Sequence, residues 1–168
     1  MKKKLSKKLT LYYTDNFPRK LKSNSNKKYL VTIGIGGNIG NTKKIFDKLF
    51  LCLKQDKRIN IIMTSPLLRN PPFGFLDQND FLNGIITLKT NLAPNDFLKN
   101  MQRLEKRYGR KRSFQDAPRT LDIDIIFFDN KKINTKNLII PHKDWANRES
   151  VIIPLNYMKN MYKCKSNI

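Results

Sequence analysis

Pro118-Arg119-Thr120-Leu121-Asp122-Ile123-Asp124-Ile125-Ile126-Phe127-Phe128 is the stretch on which the fold of this chain turns. Its second half, Ile125 to Phe128, is an unbroken apolar run rich in Ile and Phe, the pattern of a buried strand. Its first half brings two carboxylates, Asp122 and Asp124, into that strand just behind Arg119. Residues i and i+2 of a strand point to one face, with Cα atoms about 6.6 Å apart at a rise of roughly 3.3 Å per residue. Two like charges side by side on a half-buried face repel each other and are costly to desolvate. A cation between them removes the conflict, and Mg²⁺ suits the pair because it takes one or two carboxylates together with waters and phosphate oxygens. Taken alone, Asp-x-Asp reads as the polar side of an exposed edge strand. The chemistry around it argues otherwise.

Upstream, Gly109 to Pro118 is a polar loop carrying Arg110, Lys111 and Arg112. Before it, Pro94 suits the first turn of a helix whose stripe is Phe97, Leu98, Met101, Leu104 and Tyr108, closed by Gly109. Phe81 to Thr90 alternates as a strand, with Phe81, Asn83, Ile85 and Thr87 on one face and Leu82, Ile86 and Leu88 on the other. Arg69 to Asp80, with Pro71, Pro72 and Gly74, reads as a long binding loop, preceded by a strand over Ile59 to Leu68. Tyr29 to Ile35 is the first strand. It enters the turn Gly36-Gly37-Asn38-Ile39-Gly40-Asn41 and an amphipathic helix over Thr42 to Gln55. That turn lacks the third glycine of a dinucleotide fingerprint. Beyond Phe128, Asp129 to Lys132 reads as a turn, 133–135 and 138–140 as short extended pieces, and Val151 to Met158 as an apolar segment that packs back on the domain. The order β-α-β-β-α-β predicts an α+β, ferredoxin-like domain: a four-stranded antiparallel sheet with both helices packed on it.

At 168 residues the chain fits one domain, and no apolar run approaches the ~18 residues of a membrane span. Its formal net charge of +21 is uneven: residues 1–28 hold ten Lys or Arg and one acid, Asp15. They read as a basic, flexible leader, with the domain at 29–160 and a short tail at 161–168. Two cysteines, Cys52 and Cys164, form neither a metal spacing nor a disulfide framework, which points to a reducing, cytoplasmic setting. A basic balance fits an anionic small molecule as well as a nucleic acid. An RNA-binding sheet would carry aromatic residues flanked by bases on its central strands. Ile33-Gly34-Ile35 and Asp122-Ile123-Asp124 do not, and paired carboxylates repel phosphate unless a metal intervenes.

Arg110, Arg112, Arg119, His142 and Arg148 surround the carboxylate pair in sequence. Arginine forks bind phosphate bidentately, and a carboxylate-held Mg²⁺ neutralises the same oxygens, so the set points to a polyphosphate site. Transfer of a phosphoryl-type group asks the protein for positioning and charge stabilisation rather than covalent chemistry.

These residues carry a resemblance. From Tyr29 to about Met158 the chain is similar to the 6-hydroxymethyl-7,8-dihydropterin pyrophosphokinase family of folate biosynthesis. The matching blocks run in order: Ile35-Gly36-Gly37-Asn38-Ile39, Asn70-Pro71-Pro72-Phe73-Gly74, Asp77-Gln78 with Phe81-Leu82-Asn83, Glu105 with Gly109-Arg110-Lys111-Arg112, Pro118 to Ile125, Ile140-Pro141-His142 with Asn147-Arg148, and Pro154-Leu155. The resemblance implies Mg-dependent transfer of pyrophosphate from ATP to the pterin hydroxymethyl group, with release of AMP. It implies two Mg²⁺ ions on Asp122 and Asp124, with Arg110 and Arg119 joining them as catalytic residues. Gln102, Glu105, Arg110, Arg112, Arg119, Ile125, His142 and Arg148 are the implied ATP site. Asn70, Pro71, Pro72, Phe73, Gly74, Phe81 and Asn83 are the implied pterin pocket, with Phe81 stacking on the ring. The implied partners are ATP and the pterin, with no nucleic acid and no membrane, on a monomer. Two departures stand out. The loop between Arg112 and Arg119 is about one residue short and lacks a tryptophan. Ser150 stands where a second stacking aromatic is usual, leaving Trp145 as a candidate substitute. These departures also motivate a rival reading as a non-catalytic relative.

Overall fold

The Asp-x-Asp segment is a strand, held in a sheet whose two faces do different things. A computed structural model describes residues 1–163 apart from 24, 112, 113 and 115, and gives only the backbone of 162 and 163. In chain order the elements are β1 (Lys2–Lys4), β2 (Thr10–Tyr12), β3 (Arg19–Lys20), β4 (Tyr29–Gly37), α1 (Thr42–Gln55), β5 (Ile59–Thr64), β6 (Leu67–Asn70), β7 (Phe81–Thr90), α2 (Pro94–Arg107), β8 (Asp122–Phe128), β9 (Ile133–Asn134) and β10 (Ile139–Ile140). A 3₁₀ turn (Trp145–Asn147) and α3 (Glu149–Lys163) follow. The architecture is α+β, and every strand pairing described is antiparallel. The main sheet runs β1-β2-β6-β7-β4-β8, with β5 also on β7 and β3 on β5.

Strand alternation sorts the side chains. Val31, Ile33 and Ile35 of β4, Leu82, Ile86 and Leu88 of β7, and Ile123 and Ile125 of β8 lie in one core with Phe46, Leu49, Phe50 and Leu53 of α1 and Phe97 and Met101 of α2. Ile85 and Ile126 belong to a smaller cluster with Val151 and Met158 of α3. Helices α1 and α2 therefore cover one face and α3 part of the other. Asn41 caps α1, its side-chain Oδ1 accepting the Lys44 N–H at 3.1 Å. The left-handed φ of +82° at Gly109 ends the α2 turn, as its place after the apolar stripe predicts.

Three segments differ from expectation. Residues 1–28, expected as a flexible leader, are seated on the sheet: β2 pairs with β6, β3 with β5, and Leu11 and Phe17 are fully buried. Phe17 packs against the Phe46 and Phe50 rings of α1, at 6.3 and 6.1 Å between centroids. Backbone pairing plus two apolar anchors hold down a segment whose composition is otherwise that of a solvated chain. The strand expected over Ile59 to Leu68 is two strands on the same neighbour, broken at Ser65-Pro66, where proline has no N–H for the ladder. Ser65 fills the break, its hydroxyl accepting the Ile85 N–H at 2.9 Å while its own N–H donates to Ile85 O at 2.9 Å. The apolar piece after Arg148 is helix α3, which continues past residue 160 to Lys163; residues 164–168 lie outside the described part. No helix among the described residues is long and apolar enough to cross a membrane.

Candidate active site

On the face that α3 leaves open lies a cavity of about 980 Å³. Its floor follows from register. Asn83, Gly36 and Asp122 are cross-strand neighbours in one row, and Ile85, Gly34 and Asp124 form the next. Glycines at the middle of both rows keep the floor low; a Cβ on Gly36 would come within 2.7 Å of Asn83 Oδ1. Asp122 and Asp124 thus share one face of β8, as their spacing requires, while Ile123 and Ile125 turn into the core beneath α1 and α2.

Cations converge on the carboxylates. Arg110 Nη1 lies 2.5 Å from Asp122 Oδ1, and Arg119 Nη1 lies 3.2 Å from Asp122 Oδ2. His142 Nε2 and Arg148 Nη1 lie 4.0 and 3.8 Å from Asp124 Oδ2. His142 Nδ1 accepts the Asp144 N–H at 3.3 Å, which places the proton of a neutral ring on Nε2, toward Asp124. Desolvation at the bottom of the concavity, followed by the charge of Asp122, pushes the Asp124 carboxyl up, although water still reaches 39% of its side chain. Glu105 sits behind Arg110 and pairs with it, and its Oε1 accepts the Ile123 N–H at 2.8 Å. Burial pushes Glu105 up to about 7 against the pull of that N–H and of Arg110. Arg119 Nε and Thr120 Oγ1 are buried with no hydrogen-bond partner among the described residues. Such groups are costly to leave unmade, and Arg119, which lines the cavity, suits an acceptor brought by a ligand.

The far end is built differently. Asn83 Nδ2 donates to Asn70 Oδ1 at 2.7 Å, and Asn70 Nδ2 to Pro71 O at 2.8 Å, so two amides stand fixed beside Pro71, Pro72 and Phe73. Phe81, 8% exposed, walls the cavity with the Arg119 guanidinium 5.1 Å from its ring centroid. Arg119 therefore touches both ends.

Of the residues predicted from sequence, Asn70, Pro71, Pro72, Phe73, Phe81, Asn83, Arg119, Asp122, Asp124 and Arg148 line this cavity. Arg110, Glu105 and His142 stand behind or beside the carboxylates. Gly74, at φ +77°, lies against the Asp116 side chain rather than on the lining. Gln102 is half-buried on α2, one turn before Glu105, and the Ile125 side chain is in the core, which leaves only its main chain for a ligand. Arg112 lies outside the described residues. Trp145 is not on the lining. It packs edge-on against Phe127, with 4.9 Å between centroids, so it does not replace an aromatic at Ser150, which does line the cavity.

Sequence reasoning missed Asn38 as a positioning group. Buried at the end of β4, it accepts the Arg119 N–H on Oδ1 at 2.9 Å and donates from Nδ2 to Gln78 Oε1 and Asn79 O at 2.8 and 3.0 Å. Gln78 Nε2 donates in turn to Asp116 O at 2.9 Å, so one amide chain ties β4, the 71–80 loop and the start of β8. The signal was present in Gly36-Gly37-Asn38, a turn followed by an amide. Its partners were not.

Comparison with known proteins decides which phosphate chemistry this is. Residues 32–160 match the family model described as 7,8-dihydro-6-hydroxymethylpterin-pyrophosphokinase. The chain belongs to this family. It is 46% identical over 128 residues to the 2-amino-4-hydroxy-6-hydroxymethyldihydropteridine pyrophosphokinase of Campylobacter jejuni, a match covering 76% of this chain and 82% of the relative. Its identity to the protein of the same name from Helicobacter pylori is 40% over 149 residues, 88% and 91% of the two chains. The Haemophilus influenzae protein is 34% identical over 123 residues, 73% and 77% of the two chains. As a member of the pyrophosphokinase family the chain is a transferase, and the cavity between Asp122 and Asn70 is where its chemistry has to be sought.

Proposed function

We propose that the chain transfers pyrophosphate from ATP to the hydroxymethyl oxygen of 6-hydroxymethyl-7,8-dihydropterin, with the phosphates at the Asp122–Asp124 end of the cavity and the heterocycle at the Asn70–Asn83 end. One observation carries the assignment: a single cavity joins a carboxylate pair ringed by three arginines and His142 to a fixed pair of amides. The amides, with the flanking backbone, match the alternating donors and acceptors of a pterin edge. Phe81 offers the ring an aromatic face. The strand order β8-β4-β7-β5 with α1 and α2 on one side supports the ferredoxin-like arrangement for the core of the domain.

The hydroxymethyl oxygen bonds to the β-phosphorus as the bond from that phosphorus to the α–β bridging oxygen breaks; the hydroxyl proton is released to solvent, and AMP leaves with the bridging oxygen. Asp122 and Asp124 would hold two Mg²⁺ ions, which supply the charge that neutralises the phosphate oxygens. The donor set fits: two oxygen-only ligands share one face, and the Arg110, Arg119 and Arg148 charges are matched by Asp122, Asp124 and Glu105. A near-neutral site takes up the four charges of ATP together with two divalent cations without a net change. Arg119, adjacent to both ends, aligns the pyrophosphoryl group with the acceptor. Arg110 and Arg148 hold the oxygens, and His142 presents Nε2–H beside them. Glu105, with its carboxylate engaged by Arg110 and the Ile123 N–H, acts on ATP through Arg110. Gln102 and the Ile125 main chain lie on the nucleotide side in this reading.

Incubation with ATP, Mg²⁺ and the hydroxymethyl dihydropterin should release AMP in step with pterin diphosphate, and excess EDTA should stop it. AMP no greater than in a protein-free control would refute the activity.

A further inference from the structure

Ser6, Lys7, Lys8 and Leu9 line the cavity, yet they lie outside the family match at 32–160. They form the tip of the hairpin between β1 and β2, and register explains how they get there. Thr10 pairs with Arg69 and Leu11 with Leu68. One further step along that ladder sets Leu9 opposite Asn70, whose partner on β7 is Phe81. Side chains of paired residues share a face, so Leu9, Asn70 and Phe81 form one row at the heterocycle end.

The tip is built rather than draped. Leu5 and Ser6 donate their N–H groups to Leu9 O at 2.9 and 3.2 Å, and Ser6 Oγ accepts the N–H groups of Lys8 and Leu9 at 3.2 and 3.1 Å. Lys3 Nζ lies 5.9 Å from the ring centroid of Tyr157, so the hairpin also leans on α3. Leu9 is half-buried while Ser6, Lys7 and Lys8 are exposed, which is the pattern of a loop that turns one apolar side chain inward and two cations to the rim. Across from it, the N-terminus of α3 offers the cavity Glu149, Ser150 and Val151, and the small side chains of the last two leave width for an apolar group from the hairpin.

We infer that this hairpin tip is a substrate-binding element, in which Leu9, in the row of Asn70 and Phe81, supplies an apolar contact to the bound heterocycle while Lys7 and Lys8 stay at the rim. The inference rests on the assignment of the pterin to the Asn70–Asn83 end. A flat heterocycle against Phe81 gains from a second apolar contact, and removing most of one leucine's contact weakens it about 5- to 10-fold. In the full chain, Leu9→Ala should therefore raise KM for the pterin by about that factor, leaving kcat and the KM for ATP within two-fold. Leu9→Met, which conserves volume, should keep the wild-type KM. Pterin titrations with a non-hydrolysable ATP analogue read the same step without turnover. In the wild type, pterin plus that analogue should slow amide hydrogen exchange across residues 6–9, a readout that needs no variant. A wild type that fails to bind pterin overturns the site assignment and the hairpin inference together. Wild-type binding with an unchanged Leu9→Ala, or with exchange at 6–9 unaffected by pterin, overturns the hairpin inference alone.

Discussion

Replacing Asn38 with alanine should both destabilise the protein and slow it, because one side chain holds three partners on two loops. The substitution removes the acceptor for the Arg119 N–H and the donors to Gln78 Oε1 and Asn79 O, at 2.9, 2.8 and 3.0 Å. Asn38 is 7% exposed, so water replaces these bonds poorly. At about 1 kcal/mol net for each bond, with an added penalty for groups left unsatisfied, the loss should be about 2–4 kcal/mol. The main-chain bond from Asn38 N–H to Arg119 O survives at 2.9 Å, so β4 stays in place while the loop and the Arg119 side chain lose their stop. A shift of about 1 Å in a group that aligns reacting atoms costs up to 10²-fold, so kcat should fall about 10- to 100-fold. Asn38→Asp sharpens the test. It keeps the Oδ1 acceptor but turns a second oxygen on Asn79 O and Gln78 Oε1, and Gln78 cannot flip without breaking the bonds from its Nε2 to Phe75 O and Asp116 O. The single tryptophan, Trp145, packed on Phe127, reports unfolding by fluorescence in a urea titration. If Asn38→Ala lies within ~0.5 kcal/mol of wild type with unchanged kcat, the amide chain positions nothing and the reasoning fails.

Three further outcomes are expected. A Cβ on Gly37 would stand 2.5 Å from the main-chain oxygen of Thr120, whereas one on Gly34 would meet the end of the Ile126 side chain at 3.4 Å. By urea denaturation Gly37→Ala should therefore cost about 3 kcal/mol and Gly34→Ala less than about 1, and equal costs would contradict the close approach of β4 to residues 119–120. Glu105 is held at about 7, above the usual 4.5, so the folded state favours its protonated form, and the stability this gives is full below pH 4.5 and lost as pH rises through about 7. Glu105→Gln does not titrate, so its melting temperature relative to wild type should rise between pH 5 and pH 8, and a difference that stays flat would refute the desolvation of this carboxylate. Asp124→Ala should lower kcat at least about a thousand-fold while the melting temperature stays level or rises, since burial and the Asp122 charge oppose its ionisation. Near-normal turnover in that variant would remove Asp124 from the metal.

The parts of this protein legible in sequence are those in which a side chain repeats a period. Alternation on β7 assigned Leu82, Ile86 and Leu88 to one face and Ile85 to the other, and the two clusters divide them the same way. The i, i+2 spacing put Asp122 and Asp124 on the cavity face. Less legible was anything decided by a partner distant in the chain. Glu105 stood out only through the family resemblance, and nothing in the sequence revealed that its oxygen takes the Ile123 N–H across 18 residues. The Ile59 to Leu68 run hid its break because Ser65 restores the missing ladder contact by side chain, and a periodicity count sees an ordinary serine.

The first 28 residues show why the rest was hidden. An edge strand needs backbone pairing, which leaves no mark on composition, and a few apolar anchors, here Leu11 and Phe17. Two buried apolar side chains among the described residues of this segment are too few to raise a period above a Lys- and Asn-rich background. The same economy follows from position. Strand β1 is the outer edge of the sheet, beyond β2 and β6, and its exposed Lys2, Lys3 and Lys4 oppose further edge pairing. What the edge position offers instead is reach. A hairpin in line with β6 delivers its tip beside Asn70, at the end of the cavity away from Asp122, Asp124 and their arginines. The basic segment that composition sets aside as a leader is thus placed by the sheet itself on the wall of the cavity.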